Sequence, residues 1–369
     1  MNLNLFKLSL LVLVFSSQAF ALEPILRDFH SVRAAGMGDV RYTTGLFEEN
    51  LYANPARSTD NPESKFQFPQ ISLEANSASL SAFNTLTKSG KNGLAAFKDN
   101  IGQPLSARFQ MVFPAYYSRH FITDDWAFGL GMTVAAQTIS EVSQSNTIDP
   151  TAFIAAGPVI NLSRRLLDED RLSIGINIRT ELRANSRSNF NIQQFLSGQQ
   201  ISDVIKGGSG LGTDFDLGST FKPHWGLGGF KYETALAINN ILDGQYKNIS
   251  RPFSSWGGNP FQSHRSYNFG ISATHDKVSV FESVVTAIEF TDIGNNVNGS
   301  IFRTIHIGSE AKWKVLLARL GISQGYWAAG FGIDVGFFRL NFASYAEELG
   351  LNPGVIEDRR YAAQLGFEI

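Results

Sequence analysis

The residues best spaced for joint chemistry in this 369-residue chain are charged and amide side chains at alternate positions. Asn177, Arg179, Glu181 and Arg183 form one row, and Asp214 and Asp216 form a second. Alternate residues of a strand share a face, so the first row sets two guanidiniums, a carboxylate and an amide side by side. Such rows can neutralise each other across neighbouring strands, or bind a polar substrate. Neutralisation is the simpler reading, and it predicts coupling between Arg183 and Asp214 or Asp216. Catalytic constellations do not assemble. His30, His120, His224, His264, His275 and His306 are scattered, none at metal-ligand spacing from a second His, and the chain has no Cys. Gly208-Ser209-Gly210-Leu211-Gly212 lacks the following helix of a dinucleotide site and the Lys of a phosphate loop. Leu211 stands where a nucleophile elbow needs its last Gly. The expectation is a chain that uses neither metal nor cofactor and is not an enzyme.

The face opposite the first row is Leu172, Ile174, Ile176, Ile178, Thr180, Leu182 and Ala184. An Arg facing lipid at the bilayer midplane costs roughly 2–4 kcal/mol. With the Ile-rich face toward lipid, Arg179, Glu181 and Arg183 fall instead in a polar lumen. The same alternation recurs along the chain. Leu105, Ala107, Phe109, Met111 and Phe113 alternate with Ser106, Arg108 and Gln110. Trp126, Phe128, Leu130, Met132 and Val134 oppose the small residues Ala127, Gly129 and Gly131. Between Lys65 and Asn76 the phase slips by one at Pro69, as at a bulge. The segment near 279–291 alternates least clearly. From Arg360 to Ile369, Tyr361, Ala363, Leu365, Phe367 and Ile369 share one side, and this strand is expected to close against the segment around Phe66 to Ala75. The count is about fourteen strands, an even number as in single-chain bacterial barrels. Short links at 123–125, 168–170, 276–277 and near Gly336 alternate with longer ones at 77–104, 140–150, 186–209, 242–264, 292–299 and 347–358. That is the pattern of short periplasmic turns and long outer loops. The expected fold class is all-β: a transmembrane antiparallel β-barrel with strands from 65 to 369.

The N-terminus fits export. Lys7, the apolar run Leu8 to Phe15 and Ala19-Phe20-Ala21 read as a signal peptide over 1–21, cleaved after Ala21. Mean hydropathy is −0.07, which alternating strands produce and membrane helices do not. The expected location is the outer membrane of a Gram-negative bacterium, with outer-membrane lipid and the barrel-assembly machinery as partners. Net charge is −2 without a basic run, so nucleic acid is excluded as a partner. Two long loops have helical spacing: Asn191 to Lys206, with Phe195 and Leu196, and Ser77 to Gln103, with Leu80, Phe83, Leu94 and Phe97. Loop 242–264 is aromatic, with Tyr246, Phe253, Trp256 and Phe261.

Ala34-Ala35-Gly36-Met37-Gly38-Asp39-Val40 leads into Asn54-Pro55-Ala56 ahead of the first strand. A glycine-rich segment before Asn-Pro-Ala resembles the FadL-like outer-membrane transporters, most closely their PorV-like and uncharacterised relatives. Gly210 to Gly218, Ala237 to Leu242 and Arg319 to Tyr326 resemble later stretches of the same family. The resemblance implies a fourteen-stranded barrel with residues 22–64 folded into the lumen as a hatch. Gly36, Gly38, Asn54 and Pro55 would stand at the hatch motif. It also implies a hydrophobic capture site in the third and fourth outer loops, here around Phe195, Leu196, Phe253, Trp256 and Phe261. The function implied is passive uptake of small hydrophobic molecules, such as long-chain fatty acids. The alternative is a PorV-like barrel that holds or shuttles secreted proteins at the cell surface. Ile369 departs from the common aromatic ending of such barrels.

Overall fold

The computed structural model describes residues 25–88, 100–142, 147–167, 171–191, 207–249, 258–293 and 299–369. Fourteen antiparallel strands close into a barrel. They are β1 (Lys65–Gln67 continued by Gln70–Asn76), β2 (Pro104–Ser118), β3 (Trp126–Val142), β4 (Thr147–Arg165), β5 (Arg171–Arg187), β6 (Gly207–Lys222) and β7 (Phe230–Asn239). The second half is β8 (Ser266–Val278), β9 (Phe281–Ile293), β10 (Ile305–Trp313), β11 (Leu316–Ser323), β12 (Tyr326–Asp334), β13 (Phe338–Glu348) and β14 (Glu357–Phe367). β14 closes on β1 with Arg360 opposite Asn76 and Leu365 opposite Ile71. The strand break in β1 falls where Pro69 shifts the phase, with Gln67 and Gln70 both turned inward and buried.

Burial is inverted relative to a water-soluble domain. On β11, Leu320 is 68% exposed while its neighbour Arg319 is 2% exposed. Ser72, Glu74, Arg108, Gln110, Asn177, Gln364 and Glu368 are buried, while Leu73, Phe109, Ile178, Leu365 and Phe367 are exposed. The medium around such a wall must be apolar, and the inside must satisfy the polar groups. β9 is the weakest case, as its sequence suggests: toward its short turn, Glu282 and Lys312 pair at 3.8 Å with half-exposed side chains.

Connections after odd-numbered strands lie at one end of the barrel, and those after even-numbered strands at the other. The even set spans seven residues or fewer, as in 279–280 and 314–315. The odd set includes 77–103, 240–265 and 349–356. Two odd connections are short, against the expected sorting. β3 and β4 extend to leave only 143–146 between them, because Ile139 and Ile148 are buried and keep the ladder going beyond the expected loop start at 140. β11 and β12 turn through Gln324 and Gly325, both at positive φ, in a tight hairpin. The expected helix after β1 runs over Ser77–Lys88, with Leu80 and Phe83 exposed. Its continuation with Leu94 and Phe97 lies outside the described residues, as does the helix expected from Asn191 to Lys206 apart from Asn191 itself, which pairs in extended form with Thr147.

The apolar core sits inside the barrel and is built by residues 25–64. Helix α1 (Val32–Gly36) is N-capped by Ser31, whose Oγ accepts from the Ala34 N–H at 3.1 Å. Val32 and Ala35 pack against Ala328, Ala343, Tyr345 and Ala362 of the wall. The turn Phe47–Leu51 buries Phe47 and Leu51 against Val112, Ala115, Tyr117 and Val159. Tyr42 and Ala53 meet Ala235 and Ala237. A fully buried Leu or Phe contributes about 1.5–3 kcal/mol, so these clusters tie the N-terminal segment to the wall on several sides.

Candidate functional site

Glycine brings the N-terminal segment against the wall. A Cβ on Gly330 would stand 2.9 Å from the Gly36 Cα, and one on Gly36 would stand 2.8 Å from the Gly330 Cα. Backbone meets backbone there, and only glycine on both sides permits it. Gly38 adopts φ +67° beside Ile307 and Ile322, while Gly308 and Gly321 make room for Met37. Asn54 is extended at φ −113°, as its following Pro55 favours. Its side chain caps the turn Pro55–Asp60 and donates to the Ser219 carbonyl at 3.1 Å. Gly218 and Gly175 leave the space that Asn54 and Pro55 fill. Leu51 fills the space beside Gly129 and Gly131, the small inner face that the sequence singles out on β3.

Charge then clamps the same segment. Glu310 accepts from Arg33 at 2.8 and 3.0 Å and from Arg319 at 2.6 Å. Both oxygens of Glu233 accept from Arg57 Nη1, and Glu74 accepts from His30 at 2.9 Å. Glu289 accepts the backbone N–H groups of Arg41 and Thr43 at 2.8 and 2.7 Å. Buried carboxylates of this kind need such partners, because an unpaired one is costly.

The row on β5 belongs to this system. Asn177 donates to the Asn50 carbonyl at 3.0 Å. Arg179 pairs with Asp216 through two bonds of 3.0 Å and with Asp28 at 3.2 Å. Arg183 binds Asp28 and Glu181, the latter at 2.6 Å. The expected partnership of Arg183 with Asp214 or Asp216 is therefore not the one formed. In the β5–β6 register Arg183 lies opposite Gly210, and Arg179 lies opposite Asp214. Asp214 stands about 13 Å further along the strand at 3.3 Å per residue. It instead accepts the N–H groups of Phe215, Leu242 and Gly244 at 2.7–2.9 Å, fixing the chain as it leaves β7.

At the long-loop end, a cavity of about 400 Å³ opens between residues 25–29, 39–42 and 52 and the wall. Six arginines line it: Arg27, Arg41, Arg179, Arg183, Arg187 and Arg303. The carboxylates at its surface are Asp28, Asp39 and Asp292. Asp39 bonds Arg27 at 2.8 Å and lies 3.6 Å from Arg41. Burial alone would push its carboxyl up, but these two guanidiniums outweigh burial and hold it well below the usual carboxylate range. Aromatic faces lie among the charges. Phe29 stacks on Tyr52 at 4.9 Å, and the Arg183 guanidinium lies over Phe153 at 5.1 Å and Tyr246 at 4.6 Å. Of the expected capture residues, Phe261 lines this cavity, accepts from Arg183 through its carbonyl at 3.1 Å and is 40% exposed. Phe195, Leu196, Phe253 and Trp256 lie outside the described residues. Sequence reasoning missed Asp28, Arg27, Arg41 and Arg303, which stand outside any strand and carry no periodicity. Glu310 and Arg319 carried the inward-polar signal of their strands and could have been found by it.

No family model matches the chain, and no curated protein matches it in sequence. Solved structures do match its shape. The toluene transporter TbuX of Ralstonia pickettii aligns with TM-score 0.52 at 11% identity, over 92% of this chain and 98% of that one. A TodX monoaromatic hydrocarbon channel mutant aligns with TM-score 0.51 at 12% identity, over 92% and 97%. At these identities the likeness is one of fold. The chain shares the closed antiparallel β-barrel fold of these structures.

Proposed function

We propose that the barrel carries small hydrophobic or amphipathic molecules inward across the outer membrane, down their gradient. Residues 22–64 act as its hatch. The observation that carries this reading is the cavity at the long-loop end, bounded on one side by the N-terminal segment and on the other by the wall. Its volume lies within the range of small-molecule sites. The shared fold supports the reading, since TbuX is a toluene transporter and TodX a monoaromatic hydrocarbon channel. A barrel has no energy source of its own, so transport follows the gradient. The test is uptake by a deletion strain, complemented by the intact gene, using aromatic hydrocarbons, fatty acids and aromatic acids at limiting concentration. Loss of uptake for one class, restored on complementation, is the expected result. Normal uptake of all three would overturn the reading, and a secreted protein co-purifying stoichiometrically would replace it with a surface-shuttle role.

A further inference from the structure

We propose that the cavity binds an organic acid with a compact, flat apolar body, and that the acid group displaces Asp28 from Arg179 and Arg183. The proposal rests on the passage reading above and names the chemistry of what passes.

Asp28 is the carboxylate that Arg179 and Arg183 share, one oxygen to each. Their other carboxylate partners, Asp216 and Glu181, stand on strands and are fixed by the ladder. Asp28 stands on the N-terminal segment, ahead of α1, at the cavity surface. A second carboxylate arriving from the mouth offers the same two guanidiniums an equivalent partner, so exchange leaves neither one unpaired. A neutral hydrocarbon offers them nothing and would strip water from them.

The surroundings define the body of the ligand. The Arg179 guanidinium lies 5.8 Å over the Tyr52 ring, and Phe29 is stacked on that ring within 10° of parallel. Phe153, which also lines the cavity, lies beside Arg183. Flat aromatic faces beside a forked cation suit an aromatic acid, whose ring can stack while its acid group takes the fork.

The probes are 2-naphthoate and its neutral methyl ester, titrated calorimetrically into the full barrel folded in detergent. Naphthoate is expected to bind about tenfold more tightly than the ester. Asp28→Asn removes the internal competitor and is expected to tighten naphthoate about tenfold while leaving the ester unchanged. Arg183→Gln is expected to abolish the preference for the acid. Should Arg183→Gln fail to fold, as judged by heat-modifiable migration, the Asp28→Asn arm decides alone, since Asp28 is not part of the wall. Equal binding of acid and ester, or weaker naphthoate binding by Asp28→Asn, overturns the proposal. Vesicle flux separates the two readings. Passage of the ester without the acid keeps the transport function and overturns the acid site. Passage of neither overturns the transport function, while the titrations still judge the site.

Discussion

Replacing Glu310 by Ala should release the N-terminal segment without opening the barrel. Glu310 holds Arg33 of α1 through two bonds and Arg319 of the wall through one. Each charge-assisted bond contributes about 1.5–3 kcal/mol, and removing one partner of a buried pair costs about 3–5 kcal/mol. The low end applies here. Arg33 keeps Glu49 at 2.9 Å and the Thr44 carbonyl at 3.1 Å, and Arg319 keeps Asn341 at 2.9 Å. About 3 kcal/mol is roughly a hundredfold in population. The strand ladder around Glu310, from His306 opposite Ser323 to Trp313 opposite Leu316, involves backbone groups and remains intact.

Trypsin reads the difference. Arg33 and Arg57 are cleavable when the segment is undocked and are buried when it is docked. With reclosing faster than cleavage, the nicking rate follows the undocked population. Glu310→Ala should raise it roughly a hundredfold. Glu310→Gln, which keeps an acceptor, should raise it by about tenfold. Heat resistance of the barrel on a gel should be unchanged in both. Unchanged nicking, or loss of wall and segment together, would refute the reasoning.

Three further outcomes follow from the same geometry. Gly330→Val places its side chain against the Gly36 backbone and should cost docking about 1–3 kcal/mol, seen as faster nicking in a normally folded barrel. Asp39 and Asp60 sit below the usual carboxylate range, Asp60 because Arg57 and Lys222 outweigh its burial. A carboxyl depressed by folding stabilises above its unfolded pKa and loses that contribution as pH falls. Hydrogen exchange of the amides of residues 31–60, corrected for intrinsic rate, should therefore accelerate below about pH 4. A double-mutant cycle on Arg183 and Asp28 should give a coupling above about 1 kcal/mol, and one on Arg183 and Asp214 a coupling near zero.

The wall was legible in the sequence because lipid and lumen impose opposite demands on alternate residues. The slip at Pro69, the closing strand at Arg360 and the inward row at Asn177 follow from that constraint alone. Loop limits were less legible: the ladder through Ile139 and Ile148 extends because both side chains find a buried place, which composition near 140–150 does not reveal. Ion-pair partners were legible only as to face. Arg183 faces the lumen as expected, but its partner comes from a segment without periodicity, so no spacing could name Asp28. The glycine motif was visible, but what it docks on was not. Gly308, Gly321 and Gly330 stand on three separate strands and become a surface only when β10, β11 and β12 lie side by side.

These contacts also decide how the N-terminal segment can move if it acts as the proposed hatch. Complete withdrawal would strip Glu289 of its backbone donors and take Arg33 from Glu310, Arg57 from Glu233 and His30 from Glu74, a combined cost of several kcal/mol. No small ligand supplies that much differential binding. Residues 25–29 are different, for they border the cavity and reach the β5 wall through Asp28. Passage should therefore need displacement of this stretch alone. Cross-linking Ala35→Cys to Ala328→Cys, neighbours in one buried cluster, should leave flux through vesicles intact. Joining Asp28→Cys to Arg183→Cys with a short reducible bis-thiosulfonate linker should block passage of the neutral ester, with reductant restoring flow. If the first bond stops flux and the second does not, the whole segment moves, and the clamps are weaker than their geometry implies.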